Sequence, residues 1–91
     1  MDDATRTSGP DARVRAEFSI YPFVEGLAYP SHVQVAVDVI DASGLDAEFG
    51  ALSQTITGPV GSVLDASRRA TEAALREGAR RIVVNIEVLE V

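Results

Sequence analysis

RVRAEFSIYPFVEGLAYPSHVQVAVDVI, residues 13–40, changes its hydrophobic period once, and that change decides the fold. From Arg13 to Tyr21 the apolar residues alternate. Val14, Ala16, Phe18 and Ile20 share one face, and Arg15, Glu17, Ser19 and Tyr21 share the other. Period two with β-branched and aromatic side chains predicts a half-buried strand. Pro22 ends it, because proline cannot donate to a sheet ladder. From Val33 the spacing becomes i, i+3, i+4, i+7 through Ala36, Val37 and Ile40, the core-facing stripe of a helix. Ser31 and Gln34 have capping-box spacing, and Gly44 stands where a left-handed residue closes a helix.

Downstream the same switch recurs. Leu45 to Leu52 alternates and predicts a second strand with a bulge at Gly50. Ser53 to Thr57 predicts a third after a tight turn. Pro59 opens a second helix at its first position, where a missing N–H costs nothing. Val60, Val63, Leu64, Ser67, Thr71, Ala74 and Leu75 keep helical spacing until Gly78, and Arg68, Glu72 and Arg76 sit four apart on the outer side. Ile82, Val84, Ile86 and Val88 alternate with Val83, Asn85, Glu87 and Leu89 in a last strand. The order strand-helix-strand-strand-helix-strand, with right-handed crossovers, predicts an α+β, ferredoxin-like βαββαβ sandwich. Its four strands form one antiparallel sheet with two helices on one face. Residues 13–91 form this domain, and residues 1–12 are expected to be a flexible tail.

Composition narrows the function. The chain has 91 residues, 46% of them apolar, with 5% aromatics and no Trp, so the core is aliphatic. Fourteen acids against eight bases give a net charge of −6, and every base is Arg. That balance argues against nucleic acid as a partner. The absence of Lys removes P-loop and Schiff-base chemistry, and the absence of Cys removes disulfides, thiolate metal sites and cysteine nucleophiles. No apolar run is long enough for a membrane span, and no basic, apolar leader opens the chain, so the expected compartment is the cytoplasm.

Individual residues leave alternatives open. Asn85 interrupts a strand of Val and Ile, so its amide needs a partner: a polar heterocycle, a neighbouring strand or a second copy. Tyr21 either walls a pocket or packs against Phe23 or Tyr29. Ser19, Ser53 and Thr55 read as ordinary strand residues when taken singly. His32, in the first turn of helix one, reads as a surface residue. Glu17 and Glu87 form either a carboxylate pair or surface ion pairs with Arg15 and Arg13. The helix start after Gly58-Pro59-Val60-Gly61 is a weak anion site. Tyr21, Val83 and Leu89 on the uncovered sheet face predict association with a second copy.

Four stretches carry a family resemblance: Ala16-Glu17-Phe18-Ser19-Ile20-Tyr21-Pro22, Ser43-Gly44-Leu45-Asp46-Ala47-Glu48, Gln54-Thr55-Ile56-Thr57-Gly58 followed by Val63-Leu64, and Gly78-Ala79-Arg80-Arg81-Ile82-Val83-Val84-Asn85. In this order and spacing, over residues 16–88, the chain resembles the small thiamine-binding, or hydroxymethylpyrimidine/thiamine-binding, proteins of ferredoxin-like fold. The resemblance implies a binding protein without catalytic residues, cofactor or metal. Its ligand would be thiamine or its hydroxymethylpyrimidine half, in a carrier, storage or salvage role. It further implies homodimers or homotetramers built through the sheet. The matching polar positions are Ser19, Tyr21, Gln54, Thr55 and Asn85, whose hydroxyls and amides suit an aminopyrimidine. Thr57 stands where some relatives carry a basic residue, which disfavours a phosphorylated ligand. The alternative reading is a regulatory or structural module of the same fold that senses another small metabolite at a subunit interface. A metallochaperone lacks its Cys pair here, an RNA-recognition module its basic, aromatic strands, and an acyl-phosphate hydrolase its anion loop.

Overall fold

Strand β1, Arg13–Tyr21, occupies an interior position of the sheet, and its strict alternation of buried and outward residues organises the domain. The computed structural model describes residues 12–24, 26 and 29–90. It contains β1, helix α1 (Ser31–Ala42), β2 (Asp46–Phe49), β3 (Gln54–Pro59), helix α2 (Val60–Arg76) and β4 (Arg81–Glu90). The sheet order is β2-β3-β1-β4, and every pairing is antiparallel. This is the expected α+β, ferredoxin-like arrangement. Most of the expected tail lies outside the described residues, but Ala12 is buried, and its carbonyl accepts from Val60 N–H. The folded part therefore begins at least one residue earlier than expected.

The core lies between sheet and helices. Val14, Ala16, Phe18 and Ile20 of β1 meet Val33, Ala36, Val37 and Ile40 of α1, with Ile56 of β3. Phe18, Ile40 and Ile56 are fully buried, and each such side chain contributes about 1.5–3 kcal/mol of transfer free energy. The stripe of α2 is rotated from its expected position. Val63, Ala66, Ser67, Ala70 and Ala74 are buried, whereas Leu64 and Leu75 are exposed. Small side chains let α2 approach closely, and Ser67 satisfies its hydroxyl on the Val63 carbonyl at 2.7 Å.

Several local expectations are corrected. The capping box does not form. Pro30 is the N-cap of α1, its carbonyl accepts from Val33 and Gln34 N–H, and the Gln34 amide instead donates to Asp38 at 2.8 Å. Pro59 is the N-cap of α2 and the last residue of β3, so the helix starts one residue later. Val60 N–H is already used by Ala12, which removes a donor from the candidate anion site. Strand β2 is shorter than predicted. Gly50 is part of a tight turn, its N–H donating to the Ser53 carbonyl at 2.9 Å, rather than a strand bulge.

Geometry requires glycine for different reasons at Gly44 and Gly58. Gly44 follows the α1 cap at φ +76, the left-handed conformation that closes the helix. A Cβ on Gly58 would come within 3.1 Å of Leu45 Cδ2, so the absence of a side chain lets the β2 side of the core close over β3.

Candidate ligand-binding site

The sheet face away from the helices is set by register. Glu48 of β2 lies opposite Thr55 of β3, Thr55 opposite Glu17 of β1, and Glu17 opposite Asn85 of β4. The adjacent row runs Asp46, Thr57, Arg15 and Glu87. These rows enclose an open recess of about 300 Å³ lined by Arg15, Glu17, Glu48, Thr55, Asn85 and Glu87, with Ile86 at its border.

Charge inside the recess is unbalanced. Arg15 Nη2 donates to Glu87 Oε1 at 2.7 Å, which neutralises that pair. Glu17 Oε2 accepts from the Ser53 hydroxyl at 3.1 Å, a neutral partner. Two carboxylates, Glu17 and Glu48, therefore remain without a cation among the described residues. Glu87 takes the ion-pair alternative with Arg15, and Glu17 lies diagonal to it on the same face, opposite Asn85. The Asn85 side chain is exposed and has no hydrogen-bond partner among the described residues, so its donor and acceptor are both available. The arrangement combines negative charge, one hydroxyl and one amide on a rigid sheet, which can hold a planar cation with polar edges.

The five residues implied by the resemblance are not gathered in one place. Thr55 and Asn85 line the recess. Ser19 shares their face, opposite Val83, outside the lining. Tyr21 lies at the end of β1, opposite Arg81, with its ring 4.8 Å from that of Phe23 and the Arg81 guanidinium 5.3 Å from its centroid. It packs against Phe23, while the Tyr29 hydroxyl donates to Gly50 instead. Gln54 is turned away from the recess altogether. It pairs with Phe18 and Phe49, is 2% exposed, and donates to the Gly50 carbonyl at 3.3 Å on the helix side of the sheet. Period two places Gln54 with Ile56, so its burial follows from its own strand. Glu17 and Glu48 join the recess although they were not among the five.

His32 is also relocated. It is 8% exposed, not a surface residue, and its Nε2 lies 2.6 Å from the Pro22 carbonyl. A carbonyl only accepts, so Nε2 carries the proton. The ring ties the start of α1 to the end of β1, where Arg80 N–H also donates to the Tyr21 carbonyl and the Tyr21–Pro22 peptide is cis. Among the described residues no group of metal-ligating side chains occurs, and no helix is long and apolar enough to cross a membrane.

The family model described as thiamine-binding protein matches residues 16–90, all four strands and both helices. The chain belongs to the thiamine-binding protein family. Solved structures agree in fold. A domain of unknown function from Bacillus cereus is 29% identical with a TM-score of 0.65, covering 87% of this chain and 76% of its own. A hypothetical protein of Methanocaldococcus jannaschii is 26% identical with a TM-score of 0.63, covering 87% and 80%. A thiamine biosynthesis/salvage candidate from Thermotoga maritima is 20% identical with a TM-score of 0.62, covering 84% and 81%, a likeness of fold. Curated proteins include no significant match. As a thiamine-binding family member the chain falls in a small-ligand-binding class, and the recess is the open-face cavity that the sheet register builds.

Proposed function

We propose that this protein binds thiamine or its hydroxymethylpyrimidine moiety, without turnover, in the recess between Glu48 and Asn85. The observation that carries the reading is the row Glu48, Thr55, Glu17, Asn85 across all four strands, in a chain of the thiamine-binding family. Thiamine is a cation with an aminopyrimidine edge. The uncompensated carboxylates favour the cation, each charge pair contributing between about 1 and 4 kcal/mol at 4 Å, depending on how much water remains. Thr55 and Asn85 offer hydroxyl and amide groups to the ring nitrogens and the amine. Neutral hydrogen bonds of about 0.5–1.5 kcal/mol each favour a reversible affinity, suited to a carrier, store or salvage protein of the cytoplasm. The same reading includes self-association through the sheet as a homodimer or homotetramer. Calorimetry with thiamine, hydroxymethylpyrimidine and thiamine phosphate tests it. Micromolar binding of the first two, with the phosphate weaker, is expected. No binding of any of them below millimolar concentration overturns it and returns the module to sensing a different metabolite.

A further inference from the structure

The two carboxylates that line the recess without a cation among the described residues are held differently. Glu48 is exposed and makes no side-chain hydrogen bond among the described residues. Glu17 Oε2 accepts from the Ser53 hydroxyl at 3.1 Å, and Ser53 itself stands outside the lining. Ser53 closes the turn between β2 and β3, where its carbonyl accepts from Gly50 N–H at 2.9 Å. The turn is fastened in turn from the other side. The Gly50 carbonyl accepts from the Tyr29 hydroxyl at 2.9 Å and from Gln54 Nε2 at 3.3 Å. Tyr29 belongs to the connection before α1 and packs against the core. One hydrogen-bonded chain therefore runs from Tyr29 through Gly50 and Ser53 to Glu17, and it ends in the recess.

We infer that the turn at residues 50–53, anchored by Tyr29, positions Glu17 and so sets the preference of the recess for a cationic over a neutral aminopyrimidine. This rests on the functional reading of the recess and names the residues that read charge there. Ser53 and Tyr29 are positioning residues, since neither lines the recess. An exposed glutamate left free samples several rotamers, and a ligand that uses it must restrict them. Holding the side chain beforehand removes that ordering cost from binding, about two- to tenfold in affinity for one such side chain. The Ser53 hydroxyl has one proton, which goes to Oε2, so Oε1 keeps its lone pairs for the ligand. A neutral aminopyrimidine brings no charge for Glu17 to meet, and it gains far less from the fixed position. Gln54 makes the longer of the two contacts to the Gly50 carbonyl, so the turn stays anchored when Gln54 is lost.

Calorimetry on the full chain with thiamine and with hydroxymethylpyrimidine reads the preference as the ratio of the two affinities. Ser53→Ala is expected to lower that ratio about fivefold, within the range for one side chain left unfixed. Ser53→Thr, which keeps the hydroxyl, is expected to preserve it. Tyr29→Phe keeps the packed ring and removes only the anchor, and a fall of about twofold is expected because Gln54 still holds the carbonyl. A Cβ at Gly50 would stand 3.0 Å from the Ser53 carbonyl oxygen, so Gly50→Ala must shift the turn and is expected to act like Ser53→Ala. Added to Glu17→Gln, Ser53→Ala is expected to change the ratio no further, because it acts through Glu17. In the ligand-free chain, carbon relaxation of the Glu17 side chain is expected to show faster motion in Ser53→Ala than in wild type. A ratio that ignores Ser53→Ala, or that falls as much in the Glu17→Gln background as in wild type, overturns the inference and leaves the functional reading standing. A wild type that binds neither ligand overturns the functional reading, and the relaxation comparison then decides by itself whether the turn holds Glu17.

Discussion

Arg15 Nη2 lies 2.7 Å from Glu87 Oε1, across the β1–β4 pairing and at the rim of the acidic recess. Both side chains are about half exposed or more, so the pair adds little stability. Its larger effect is to remove one negative charge from the rim. Arg15→Ala is expected to change stability by less than about 1 kcal/mol. It is expected to tighten thiamine about threefold at low salt, an advantage that fades as added salt screens the rim. Titration calorimetry at two ionic strengths checks both statements.

Glu17→Gln removes a carboxylate whose only hydrogen bond among the described residues comes from Ser53. Binding of thiamine is expected to weaken about tenfold, and binding of uncharged hydroxymethylpyrimidine much less, because only the cation loses a Coulomb partner. Equal losses for both ligands would count against a charge role.

Asn85→Ala and Gln54→Ala separate the two faces of the sheet. Asn85 is exposed, so its loss is expected to leave stability within about 0.5 kcal/mol while weakening the ligand about tenfold. Gln54 is buried among core residues, so its truncation is expected to cost about 2–3 kcal/mol of stability with affinity of the folded fraction unchanged. Tyr21→Ala, outside the recess lining, is expected to keep most of the affinity. Urea denaturation paired with calorimetry on each variant distinguishes these outcomes.

His32→Ala is expected to lower stability by about 1–3 kcal/mol, because it strands the Pro22 carbonyl and opens space in the first turn of α1. The shift in urea midpoint measures it, and unchanged stability would show that Arg80 alone secures this corner.

Gly44→Ala places a Cβ at φ +76, where nothing crowds it but the backbone itself is unfavourable. A cost of about 1 kcal/mol is expected from thermal unfolding.

The fold was legible because β1 and β4 alternate strictly and α1 keeps a clean stripe, so each local pattern agrees with the global one. The rotation of α2 was not, because Ala66 and Ala70 carry a weak hydrophobic signal while Leu64 and Leu75 carry a strong one. The open face of β1 and β4 was read correctly for Arg15, Glu17, Val83, Asn85 and Glu87; Leu89 falls where the β1 register shifts. Glu48 was missed because its place beside Thr55 depends on how a four-residue strand pairs with β3, which periodicity cannot set. His32 was misplaced because its partner lies ten residues away across a connection whose path has no local signature. The motif likeness places Gln54 in the site, whereas the parity of its own strand turns it toward the core.

Residue by residue, β1 gives its even positions to the core and its odd positions to the open face of the sheet. That interleaving limits how the protein can diverge. Inserting or deleting one residue between Val14 and Ile20 would send Phe18 into water and Glu17 against Ile56, erasing specificity and stability in one event. Substitutions at the odd positions carry no such link. Point replacement at positions 15, 17 and 19 can therefore remodel the open face without disturbing the core, while the length of β1 stays frozen.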